Sequence, residues 1–197
     1  PEEARRVGEE IERLEREGAP LDLVAILVRA QFQTREFEDR FIQIGLNYRI
    51  VGGYRFYERA EIRDALAYLR VIAQPSDDLA FERIHNTPKR GLGAKALEAL
   101  HRHARARTMP LAAAALDIAG TDELPARPRA TLLSLMRDFA RWRDLAATTS
   151  PAELARIVLD ESGYTAMLQA ERTAEASGRL ENLSELARAM EEYETLG

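Results

Sequence analysis

YRIVGGYRFYERAEIRDALAYLR, residues 48–70, and NTPKRGLGAK, residues 86–95, are the two ends of one stretch whose reading decides the fold. Tyr48, Ile50 and Val51 read as a short strand running into Gly52-Gly53, a candidate hinge because glycine tolerates backbone angles that other residues avoid. A helix follows. Its apolar residues Ile62, Ala65, Leu66, Leu69 and Ile72 recur at the spacing of one buried face and leave Arg59, Arg63, Asp64 and Arg70 elsewhere. Thr87, Pro88, Lys89, Arg90, Gly91, Leu92 and Gly93 then form a basic, glycine-punctuated turn that opens a further helix at Lys95.

Working outward toward the start, Glu2 to Glu17 is a charged surface helix with apolar contact limited mainly to Val7, Ile11 and Leu14. Leu21 to Val28 reads as a strand apolar on both faces, the pattern of a central parallel strand, and Gln33 to Ile44 as a helix closed by Gly45. With 47–51 this predicts a βαβ unit, a slice of a larger α/β domain. Toward the end, everything after Gly53 reads as helices. Ser76-Asp77 starts one through Ile84; Lys95 to Arg107 is another, with Leu97, Leu100 and Ala104 inward. Thr108 before Pro110 suggests an N-cap, and Ser150-Pro151-Ala152-Glu153 joins a capping box to a first-turn proline. Leu132, Leu135, Met136, Phe139, Trp142 and Leu145 mark a long amphipathic helix, and Leu180, Leu183, Leu186, Ala187 and Met190 line the last. The expected fold is mainly α: a helical subdomain over 52–197 attached to a small βαβ piece of an incomplete α/β domain over 1–51.

The composition, 46% hydrophobic and 31% charged in 197 residues, is that of a globular domain, and no apolar run approaches the ~20 residues that span a membrane. There is no cysteine, so disulfides and thiolate metal sites are excluded; with no signal peptide at the first residues, the expected location is the cytoplasm. The start at PEEARR without methionine and the stop at ETLG suggest an excised piece of a longer chain, and the piece itself is expected to be monomeric. Net charge is −5, which argues against a polyanion partner, yet between Ile84 and Arg107 Lys89, Arg90, Lys95, Arg102, Arg105 and Arg107 face the single acid Glu98. His85, His101 and His103 lie there too.

A glycine-flanked turn leading into a helix lets backbone and N–H groups approach anions, and Lys89, Arg90 and Lys95 add cations, which suits the regular phosphates of a duplex. The plain alternative is a helix–helix turn with solvated lysines. GLGAK is no nucleotide loop: Ala94 separates Gly93 from Lys95, and Ala96 stands where a hydroxyl is required. Tyr54, Phe56 and Tyr57 interleave with Arg55 and Arg59 and could stack bases, but at a bend such rings more often pack. Gln33, Thr34 and Arg35 suit helix capping and local pairing with Glu38 or Asp39. His101 and His103, two apart on a helix, make a metal site improbable.

Three ordered segments, AILVRAQFQTREFED, YRIVGGYRFYERAEIRDALAYLR and FERIHNTPKRGLG, resemble the second half of a superfamily 1 DNA helicase of the UvrD, PcrA and Rep type, and SGYTAMLQAE with RLENLSEL extends the resemblance over most of the chain. The resemblance implies part of the second motor domain followed by its helical accessory subdomain, with Arg29 and Gln31 on single-stranded DNA. Gln31 departs from the asparagine of that family, which keeps the amide and lengthens its reach. It implies the 87–95 turn on the duplex at a single-strand junction, Gly52-Gly53 as the pivot, ATP and magnesium bound by a longer parent rather than by this piece, and repair proteins as further partners. The rival readings are a protein-interaction or autoinhibitory module and the helicase part of a helicase-nuclease.

Overall fold

The computed structural model describes residues 2–51, 53–171 and 173–192. Among the described residues ten α-helices carry the fold and no strand occurs. By contacts the chain divides into two compact units, Pro1–Ile62 and Arg63–Gly197.

In the first unit, α1 (Glu2–Arg16) buries Ala4, Gly8 and Ile11, one face at the 4, 3 spacing, against α2 (Thr34–Gln43). Its other faces are held by pairs one turn apart, Arg5 with Glu2 and Glu9, and Arg13 with Glu10 and Glu17. The strands expected at 21–28 and 47–51 do not form. Leu21–Leu23 is a 3₁₀ turn and the residues after it are extended without a ladder. A strand exists by pairing its N–H and C=O groups with a neighbour, and these segments find none among the described residues. Their side chains accordingly stay uncovered: Leu27 is 96% and Val51 84% exposed, and Val24, Ile26 and Ile50 border, with Phe37 and Phe41 of α2, an apolar cleft of about 1020 Å³. The periodicity is that of a sheet interior, and no sheet forms among the described residues.

The second unit is built from the rest of α3 (Ala60–Ala73) with α4 (Asp78–Ile84), α5 (Ala94–Arg107), α6 (Leu111–Ile118), α7 (Ala126–Ala146), α8 (Pro151–Glu161), α9 (Tyr164–Ala170) and α10 (Ala174–Ala189). The inward face of α3 is wider than its spacing predicts, because Tyr68 and Val71 are fully buried while Leu66 is half-exposed. Tyr68 is the centre of an aromatic cluster, with ring centroids 6.1 Å from Phe139, 6.2 Å from Trp142 and 6.4 Å from Tyr164. The polar tips of this cluster are satisfied at its edges. Trp142 Nε1 donates to Glu161 (2.6 Å), and the Tyr164 hydroxyl donates to Asp64 (2.7 Å), which also pairs with Arg83 (2.6 Å).

Local capping sets where the helices start. Asp77, Ser150 and Thr173 each accept the backbone N–H three residues on, which otherwise has no intrahelical partner. Thr108 is not the N-cap of α6; it ends α5 in a left-handed conformation at φ 52. Pro110 takes the N-cap position and has no side chain to cap with, so Asp78 of α4 supplies the acceptor for Leu111 N–H at 2.8 Å. That bond also fixes α6 against α4. None of the helices among the described residues is long and apolar enough to cross a membrane.

Candidate nucleic-acid interface

The turn between α4 and α5 has an inside and an outside. Leu92 is fully buried, and Arg90 sends its guanidinium inward. Nη1 donates to the carbonyls of Ile84 (3.0 Å) and Pro88 (3.2 Å), while Nη2 donates to the Tyr68 hydroxyl and to the Ser162 carbonyl (3.0 Å). The planar fork lies 5.8 Å from the Tyr68 ring centre and ties α3, the turn and the end of α8 together. Burial pushes the Tyr68 phenol above its ordinary pKa, and the Arg90 charge only partly offsets it. Arg90 therefore acts as the internal strut of the turn. Thr87 is half-buried and its carbonyl accepts from the Tyr68 hydroxyl.

Asn86 is the brace that sequence reasoning missed. Its Oδ1 accepts from the backbone N–H of Arg90 (2.8 Å) and of Leu92 (3.1 Å), so these two amides serve the turn. The signal was present, since asparagine is a turn residue whose side-chain amide bonds nearby backbone. His85 lies beneath, with Nδ1 2.8 Å from the Glu82 carbonyl and Nε2 3.1 Å from that of Leu92.

What faces outward is Lys89, Gly91, Gly93, Ala94 and Lys95, all exposed. Gly91 sits at φ 78, where only glycine is unstrained, and a Cβ there would meet nothing within 4 Å. Lys89 and Lys95 have no ion-pair partner among the described residues; in the first turn of α5 the N–H groups of Ala96 and Leu97 donate to the Gly93 carbonyl (2.9 and 3.2 Å), which leaves those of Ala94 and Lys95 at the helix start. Elsewhere in the basic window some groups are paired, while Arg102 and Arg105 are exposed and have no ion-pair partner among the described residues. His101 pairs with Glu82 (2.9 Å), His103 lies between Asp117 (2.7 Å) and Glu123 (2.9 Å), and Arg107 pairs with Asp117. The His103 hydrogen bond, with Arg107 beside it, holds the Asp117 carboxyl below its usual range.

In the first unit Arg29 and Gln31 are both exposed on the bend before α2. Gln33 shapes that bend, its Oε1 accepting from the N–H groups of Arg29 and Ala30, each at 3.0 Å. Thr34 donates to Glu38 (2.7 Å) and Arg35 pairs with Asp39 (2.8 Å), the local pairing expected there, whereas the N-cap position of α2, Gln33, makes no side-chain capping bond. Glu38, almost fully buried, also accepts from Phe56 N–H (3.1 Å), and Arg59 donates to the Gln31 carbonyl (2.8 Å). Burial lowers the Arg59 pKa against the opposing charge of Glu38. Phe56 is buried with Tyr57 edge-on at 5.1 Å, so these two rings pack; Tyr54, 73% exposed, does not. Of the hinge pair, Gly52 lies outside the described residues. Gly53 is not in the left-handed region; its lack of a side chain instead admits the Gln31 amide, whose nitrogen lies 2.8 Å from where a Cβ would be. Among the described residues no group of three His, Asp or Glu is arranged to hold a metal ion.

This two-part arrangement has a match among known families, for residues 1–119 correspond to the UvrD-like helicase C-terminal domain. The chain belongs to that family. Similar proteins include a probable DNA helicase II homolog of Rickettsia felis, 44% identical over 193 residues, which is 98% of this chain and 30% of the relative. The ATP-dependent DNA helicase PcrA of Bacillus subtilis is 38% identical over 173 residues (87% of this chain, 23% of the relative). DNA helicase II of Escherichia coli is 36% identical over 193 residues, 98% of this chain and 27% of the relative. The chain thus spans under a third of the length of these relatives, and within it the family match takes in both the Arg29 bend and the 87–95 turn.

Proposed function

We propose that this UvrD-like chain serves an ATP-dependent 3′ to 5′ DNA helicase as its duplex-gripping part. In this reading Lys89, Lys95 and the backbone around Gly91 and Gly93 touch the phosphates of the duplex next to a single-strand junction. Arg29 and Gln31 face the single strand, and the Gly52-Gly53 bend is the pivot. ATP and magnesium belong to other parts of the longer enzyme. Thr87, Arg90 and Leu92 shape the turn from within.

The single observation that carries the reading is the division of the turn: one cation and one apolar residue are committed to the interior, while Lys89 and Lys95 stand outside with no ion-pair partner among the described residues. A solvated helix–helix turn needs no such strut. Contacts of this kind position DNA without reading its sequence, and their strength depends on salt through counterion release.

The test is binding of the chain to a duplex with a single-stranded tail as salt is varied. With about four phosphates contacted, log K falls against log salt with a slope near −3.6, a loss of roughly 150-fold between 50 and 200 mM. Replacing Lys89 and Lys95 by alanine removes about two contacts and brings the slope to roughly −1.8. An affinity indifferent to salt and to both lysines would instead assign the helical unit to protein partners.

A further inference from the structure

The exposed side of α5 continues the charge of the turn. Lys95, Glu98, Arg102 and Arg105 are all exposed and follow one another at intervals of three, four and three residues, which places them in a single stripe along the helix. Arg102 and Arg105, like Lys95, have no ion-pair partner among the described residues, whereas the basic groups on other sides of the helix do: His101 with Glu82, His103 with Asp117 and Glu123, and Arg107 with Asp117. Beneath the stripe Ala99, Leu100 and Ala104 are buried, so the helix cannot rotate to present another side.

We propose that this stripe is a second, elongated phosphate-binding surface, over which the backbone of one duplex strand leaves the 87–95 turn and runs along α5. The proposal rests on the reading of the turn as a duplex contact and extends it. At 1.5 Å per residue, Lys95 and Arg105 are about 15 Å apart along the helix axis. The stripe is therefore long enough for the backbone of one strand to pass over successive phosphates. Lys95, Arg102 and Arg105 provide three cations along it, and Lys89 on the turn adds a fourth. Glu98 is the one carboxylate in the path and weakens the surface where it crosses it; its place between Lys95 and Arg102 makes it a setting of affinity, which a gain as well as a loss can probe.

The experiment compares three variants of the chain on one duplex of arbitrary sequence, with helicity followed by circular dichroism. Arg102→Gln with Arg105→Gln removes two contacts, so the loss between 50 and 200 mM salt drops from roughly 150-fold to roughly 12-fold. Glu98→Gln tightens binding severalfold, an outcome that damage to the fold cannot mimic. Lys89→Gln with Lys95→Gln reports on the turn alone. If the arginine pair and Glu98→Gln leave affinity and slope unchanged while the lysine pair weakens binding, the stripe is overturned and the turn stands. If the lysine pair too has no effect, the reading of the turn falls and the stripe falls with it.

Discussion

α1 and α5 are both arginine-bearing amphipathic helices, yet they use their charge in opposite ways. On α1, Arg5 and Arg13 each bridge two glutamates and Arg6 pairs with Glu2. On α5, Lys95, Arg102 and Arg105 share one side with the single acid Glu98 and pair with nothing among the described residues. A net charge of −5 is silent on this difference, because a cation surrounded by carboxylates one turn away is worth little to a distant phosphate. What counts for a polyanion is the number of cations left over after the fold has taken its share.

Arg90 offers the largest way to break that comparison, since it lies in the basic window yet belongs to the fold. Arg90→Ala leaves the carbonyls of Ile84, Pro88 and Ser162 without their charged donor and should cost about 2–4 kcal/mol in denaturant unfolding. Arg90→Lys should recover little of it, because one ammonium cannot reproduce the fork. Lys89→Ala should stay within about 0.5 kcal/mol. Equal losses at positions 89 and 90 would erase the distinction between inner and outer cations.

A smaller effect is expected at Gly91. Its φ of 78 makes Gly91→Ala cost about 1 kcal/mol, through strain alone, since no atom lies within 4 Å of the new methyl. An unchanged midpoint would mean that the turn relaxes to another conformation.

Acid sharpens the comparison least. Hydrogen bonds from Arg141 and Trp142 hold the Glu161 carboxyl below its usual range. A folded-state pKa lower than the unfolded value, about 4.3, gives stability that is complete above that pH and lost as pH falls through the folded value. Glu161→Gln should therefore flatten the fall in stability on acidification below about pH 4. An unaltered slope would show that the pair contributes nothing.

How far the sequence could be read differs between the two units for a physical reason. Helix periodicity reports a local surface, so the α8 start at Ser150-Pro151 and the long helix through Leu132, Phe139 and Trp142 were legible residue by residue. Strands report a neighbour, and Leu21 to Val28 carries the pattern of a sheet whose other members are not among the described residues. In the turn, glycine and charge were visible in KRGLG, but which cation points inward depends on Tyr68 and Ser162, 22 and 72 residues away. Capping of α6 by Asp78, 33 residues before Leu111, was beyond local reading for the same reason.

The most direct test sets two neutralised chains of equal net charge against each other on one duplex at 0.1 M salt. Lys89→Gln with Lys95→Gln removes two cations that the fold leaves free, and Arg5→Gln with Arg13→Gln removes two that glutamates already hold. The account predicts a loss of roughly 60-fold for the first chain and less than about twofold for the second. Equal losses in the two chains would contradict it, for binding would then follow total charge and not the cations that stand unpaired at the turn.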